Sequence, residues 1–137
     1  MANKRPFGPG FHHVAIKATD FEATVKFYEE GLGFVRHFGW GEGNTRAALM
    51  DTGDGNYIEI FAGRADSEIP EGGILHYALR VEDANSAFAR AIAAGATSVI
   101  EPKDVSPANA DHPITFRVAF VRGLAGETIQ FFQNDEL

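Results

Sequence analysis

The strongest constraint on this chain is an internal repeat: the segment His13–Asp20 (HVAIKATD) returns 63 residues later as His76–Asp83 (HYALRVED). Self-similarity at a fixed spacing marks a fold assembled from one supersecondary unit used twice. Both segments alternate apolar residues with others, as a strand does, and both end on an Asp placed to cap a following helix. Phe21, Val25, Tyr28 and Leu32 follow Asp20 at helical spacing, and Ala84, Phe88 and Ala91 follow Asp83 in the same way. Gly31 and Gly95 stand where a left-handed residue would end each helix. Beyond the helices the offset grows to 71, where Ala47–Asp51 answers Val118–Arg122 and Gly55–Phe61 answers Gly126–Phe132. Each half therefore reads β-α-β-β-β, an α+β pattern. The growth in offset is assigned to an insertion at 102–113, which holds three prolines and lacks strand periodicity; it reads as a loop able to act as a lid.

A half of this size buries too little surface to be secure alone. Modules 11–66 and 74–133 are therefore expected to share one domain, 11–137, or to exchange between chains, with residues 1–10 as a flexible leader. Exposed sheet edges and the Phe-rich pattern favour a homodimer. With 45% apolar residues among 137, a real core is available, and a formal net charge of −7 argues against nucleic acid as a partner. The most apolar stretch, Ala91–Ile100, is too short to span a bilayer, and the leader has prolines and glycines where a signal peptide has an apolar core. A cytoplasmic protein with a small-molecule partner and no membrane partner is expected.

Without cysteine, a metal could be held only by nitrogen and oxygen ligands. Strand parity puts His13, Ala15 and Lys17 on one face and His12 on the other, where the repeat has Leu75; His12 is read as a packing or surface residue. Glu59 in YIEIF and Gln130 in TIQFF are polar residues inside apolar strands, at equivalent places in the two halves. Burying a carboxylate or an amide needs a compensating partner. A divalent cation held by His13, Glu59, His76 and Gln130 accounts for all four; satisfied core histidines beside a polar groove would account for them separately. Glu127 is the better ligand by chemistry, but it aligns with Asn56 at the strand entrance and points away from Gln130, so Gln130 is preferred. Phe34, Phe38, Trp40, Phe116 and Phe120 offer aromatic wall or core.

The motifs HHVAIKATDFEATVKFYEEGLGF, GNYIEIF, LHYALRVED and FVRGLAGETIQFF together make the chain resemble the vicinal oxygen chelate superfamily from Phe11 to Phe132. That superfamily contains glyoxalase I, methylmalonyl-CoA epimerase, extradiol dioxygenases and fosfomycin or bleomycin resistance proteins. The resemblance implies paired βαβββ modules in an open, cup-shaped mixed sheet with helices outside, around a divalent Ni, Zn, Co, Fe or Mn. It places the ligands on His13, Glu59, His76 and Gln130. The pattern is most similar to glyoxalase I, a metal-dependent lyase that chelates vicinal oxygens of a hemithioacetal and stabilises an enediolate, with glutathione as co-substrate and no organic cofactor. Gln130 departs from the usual last-strand Glu, so the proton-transfer role implied by the resemblance falls on Glu59 alone. Lys17 and Arg80, four residues beyond the two histidines, would meet an anionic end of the substrate or be solvated strand-end charges. The resemblance leaves open an epimerase, an iron dioxygenase built on two His and one carboxylate, and a non-enzymatic binding or resistance protein.

Overall fold

Strand β1 (Gly10–Lys17) ends shortly before Asp20, whose side chain accepts the Ala23 N–H at 3.0 Å and opens helix α1 (Phe21–Lys26). The computed structural model describes residues 10–53, 55–64, 70, 73–124 and 127–137. The leader, apart from Gly10, and residue 66, where module one was expected to end, lie outside them. Strands β2 (Val35–Trp40), β3 (Ala47–Asp51) and β4 (Tyr57–Phe61) complete the first repeat. The second repeat supplies β5 (Ile74–Arg80), α2 (Ala84–Ala93), β6 (Thr97–Val105), β7 (Phe116–Arg122) and β8 (Thr128–Gln133). The fold is α+β, built from two tandem βαβββ modules with mixed strand pairing. Among the described residues no helix is long and apolar enough to cross a membrane.

The chain divides into two compact units. One takes the described residues of 13–75 together with 107–114, and its strands run β2-β3-β4-β1. β1 and β4 are parallel, and the other pairs are antiparallel. Ala48, Met50 and Ile60 point to one face and pack with Ile16, Ile58, Phe34 and the Phe21, Val25 and Tyr28 side of the helical segment. Burying side chains of this size stabilises by about 1.5–3 kcal/mol each, which fixes which face of these strands turns toward the helix. The other unit takes residues 10–12, 76–106 and 115–137, with the order β5-β8-β7-β6 and β5 parallel to β8. There Ala119, Val121 and Phe131 pack with Leu79 of β5 and with Phe88 and Ala91 of α2.

Three expectations need correction. Helix α1 continues into a π-helical turn, Phe27–Gly31, closed by the Leu32 N–H on the Phe27 carbonyl. That wider turn takes Leu32 off the buried stripe, leaving it 52% exposed. The left-handed glycine that follows is Gly33 (φ 79°), not Gly31, whereas Gly95 (φ 111°) is left-handed as expected. Finally, β6 runs through Pro102 to Val105, so the loop begins only at Ser106. Proline is tolerated there because β6 ends its unit's strand order and its register against β7 is already irregular, with shifts between Ser98 and Ile100 and between Ile100 and Lys103.

Candidate metal centre and ligand face

In the first unit, Ala15 on β1 registers with Glu59 on the parallel β4, and Glu59 registers with Leu49 on β3. Alternation therefore turns His13, two residues from Ala15, to the face that carries Glu59. His13 Nε2 stands 3.2 Å from Glu59 Oε1, with the two residues 0% and 5% exposed. One residue pair further along the strands, the same face carries Lys17 beside Phe61, then Ala47 and Trp40. The Trp40 ring meets Phe61 edge-on at 6.3 Å. Lys17 is half-buried and makes no ion pair among the described residues.

The second unit repeats this register. Ala78 on β5 pairs with Gln130 on the parallel β8, and Gln130 pairs with Phe120 on β7. His76, two residues from Ala78, is half-buried and meets Phe120 edge-on at 5.3 Å, so it shares the Gln130 face. Gln130 is 7% exposed, and among the described residues its Oε1 accepts no hydrogen bond. Glu127 lies before β8, and its carboxylate occupies the space that a Cβ on Gly123 would fill. Arg80 is 8% exposed and donates from Nη1 to the Phe11 carbonyl at 3.3 Å, so it is no solvated strand-end charge. His12 is fully buried and stacks on Phe132, with ring centroids 4.1 Å apart.

Each unit thus presents one imidazole and one side-chain oxygen on one face of a parallel strand pair. Imidazole, carboxylate and amide oxygen are donors of a kind suited to Zn, Ni, Co, Fe or Mn. The unclaimed, buried Oε1 of Gln130 fits that use, since an oxygen held away from water without a donor is costly.

Sequence reasoning missed the segment 107–114, which counts with the first unit. Its Asp111 takes Arg36 Nη1 at 3.0 Å and the Gly39 N–H at 2.9 Å. The hydrogen bond from Arg36 holds the Asp111 carboxyl below the ordinary carboxylate range, against the opposing effect of burial. Arg36 and Asp111 lie 75 residues apart, and no local spacing announces such a pair.

The profile of the Glyoxalase/Bleomycin resistance protein/Dioxygenase superfamily matches residues 10–131, and the chain belongs to that superfamily. It is 30% identical over 130 residues to the uncharacterized protein YwbC of Bacillus subtilis (strain 168), covering 89% of this chain and 95% of that one. Methylmalonyl-CoA epimerase from Mycobacterium tuberculosis shares the fold at a TM-score of 0.71 and 22% identity, over 97% of this chain and 92% of its own. A methylmalonyl-CoA epimerase in complex with methylmalonyl-CoA and NH4+ matches at 0.72 and 22%, over 93% and 96%. At such identities the likeness carries the fold.

Proposed function

We propose that this protein is a metal-dependent enzyme that moves a proton on the carbon beside a carbonyl in a small, sulfur-linked acyl substrate. His13, Glu59, His76 and Gln130 would hold the ion, and Glu59 would carry the proton. The reading rests on one observation: the His13–Glu59 arrangement is repeated, register for register, by His76 and Gln130. It requires the two units to serve one cation, within a chain or across a homodimer.

When bound, the ion supplies Lewis-acid polarisation of the substrate carbonyl, which acidifies the neighbouring C–H. The chain supplies the base. Of the two proposed oxygen ligands, only Glu59 can accept a proton, because the amide of Gln130 is not basic. The His13 imidazole beside Glu59 Oε1 orients the carboxylate, and the surrounding Leu49, Tyr57 and Phe38 exclude water from it.

Two outcomes of such a proton transfer compete. Epimerisation of an acyl thioester is favoured by the structural neighbours, which include methylmalonyl-CoA epimerases. Isomerisation of a hemithioacetal is favoured by the single carboxylate, since epimerisation ordinarily calls on a base at each face of the carbon. Metal-loaded protein in D2O, given methylmalonyl-CoA in one arm and methylglyoxal with glutathione in the other, separates them. Deuterium at C2 with loss of optical purity establishes the epimerase; a lactoyl thioester establishes the lyase. A preparation holding less than about a tenth of an equivalent of Ni, Zn, Co, Fe or Mn, and gaining no activity from any of them, would sink the enzyme in favour of a binding protein of the same fold.

A further inference from the structure

The first unit carries a cleft that the proposed proton transfer leaves unused. It holds about 130 Å³ and draws its lining from distant parts of the chain: Phe21 of α1, Arg36 and Gly39 of β2, Arg46 just before β3, and Asn109 and Asp111 of the segment 107–114. Arg36 and Gly39 register with Met50 and Ala48, whose side chains turn toward the helix, so this part of the wall lies on the face away from Glu59.

Both guanidiniums in the wall are held in place by the fold. A Cβ at Gly39 would collide with the Arg36 guanidinium, so glycine is what lets that side chain lie across the strand. Asp111 grips it there, Oδ2 with Nη1 at 3.0 Å and Oδ1 with Nη2 at 3.4 Å, and the same carboxylate takes the Gly39 N–H at 2.9 Å. Arg46 lies over the Phe21 ring, 4.8 Å from its centroid, and donates from Nε to the Gly43 carbonyl at 2.9 Å. Its carboxylate partner, Glu22 at 3.1 Å, has a side chain 82% exposed, and an ion pair of that kind is held weakly. Donors are left over. Arg36 Nε and Arg46 Nη2 meet no acceptor among the described residues, and the Asn109 side chain makes no hydrogen bond among them. The lining carries two positive charges and one negative, on a chain whose formal net charge is −7.

We propose that this cleft binds a phosphoryl group, either free or at the end of a larger molecule. A guanidinium with spare N–H groups is preorganised for an oxyanion when other groups already order its side chain, as Phe21 and the Gly43 carbonyl do for Arg46. A carboxylate is satisfied by the fork of one guanidinium, whereas spare donors on Arg36, Arg46 and Asn109 suit an anion that presents oxygens in more than one direction. The inference stands apart from the proton-transfer reading and does not depend on it.

Trp40 also lines the cleft and is the single tryptophan of the chain, so its fluorescence, with calorimetry beside it, reports binding. Full-length protein is titrated with inorganic phosphate, with coenzyme A as a phosphate-ester probe, and with acetate. Phosphate is expected to bind saturably and less tightly as salt is raised, with acetate much weaker. Tighter binding of phosphate assigns the free anion to the site, and tighter binding of coenzyme A assigns an esterified one. Arg46→Ala weakens phosphate binding about tenfold. Asn109→Gly, which suits the left-handed backbone there (φ 54°), weakens it about threefold and leaves Tm unchanged. Glu22→Gln frees Arg46 from its carboxylate without altering the cleft wall, so binding tightens about two- to fivefold, a gain that a purely structural Arg46 would not give. These last two variants keep the test decisive if Arg46→Ala lowers Tm. No saturable response to phosphate, wild-type affinity in Arg46→Ala, or no gain in Glu22→Gln overturns the proposal, and acetate binding as tightly as phosphate overturns the phosphoryl assignment.

Discussion

At the scale of single residues, Gln130 marks where the two halves of the repeat part chemically while keeping the same register. A neutral amide oxygen can ligate a cation but cannot take a proton, so in the proposed mechanism the pair Glu59 and Gln130 would separate metal binding from base catalysis. Glu59→Gln is expected to keep part of the metal while solvent exchange of the substrate α-hydrogen falls by about 10² to 10⁴, the usual worth of a general base. Full exchange in that variant would move the base elsewhere. The adjacent histidines differ in the same testable way. His13→Ala and His76→Ala should each lose most of the bound metal. His12→Ala should keep it and lose roughly 1–3 kcal/mol of stability, because His12 is packed on Phe132. Equal metal loss from all three would discredit the separation. Parity made legible in the sequence that His12 and His13 face opposite ways, His12 packing on Phe132 and His13 standing by Glu59; the burial of Arg80 against the Phe11 carbonyl was not legible, because nothing near Arg80 in the chain foretells a partner 69 residues away.

Elements were legible where local chemistry and the repeat agreed. Asp20 and Asp83 cap their helices through their side chains, and β3 and β4 fall on segments read from the match between the two halves. The π-helical turn was not legible, because Phe21, Val25, Tyr28 and Leu32 fit an ordinary helical period and only the backbone decides where that period stretches. The prolines that made 102–113 read as loop were misleading over 102–105, where an edge strand accepts them. The turn after β2 depends on glycine: at Gly41 (φ 81°) a Cβ would press on the Thr45 carbonyl oxygen. The Arg36–Asp111 pair, which ties segment 107–114 to β2, has a pH signature. Since Arg36 chiefly depresses the Asp111 pKa in the folded protein, the carboxylate's contribution is complete above the unfolded value of 3.8 and disappears as pH falls through the lower folded value. Acrylamide quenching of Trp40 should therefore stay flat from neutrality down to that region and rise below it. In Asp111→Ala it should be high throughout. A rise in the wild type already at neutral pH would exclude Asp111 as the group that titrates.

For the molecule as a whole, the proposed ligand set is divided: His13 and Glu59 belong to one compact unit, His76 and Gln130 to the other. A cation that needs both should couple their stabilities, because a ligand bound only by the folded state stabilises by about 2.7 kcal/mol at a hundredfold excess over Kd. Calorimetry with and without the preferred metal is then expected to show one raised transition for the wild type. His76→Ala in one unit and His13→Ala in the other should each abolish the whole shift, not half of it. A shift that survives either substitution would mean that one unit binds metal by itself, and the shared centre would be wrong. Concentration decides how the centre is assembled. If the two units serving one cation belong to different chains, the metal-induced shift must grow with protein concentration by mass action, whereas a centre closed within one chain gives a shift independent of it. A concentration-independent shift, together with a monomer at micromolar concentration in sedimentation and metal at full stoichiometry, would remove the homodimer from the mechanism and leave the tandem repeat as its own partner.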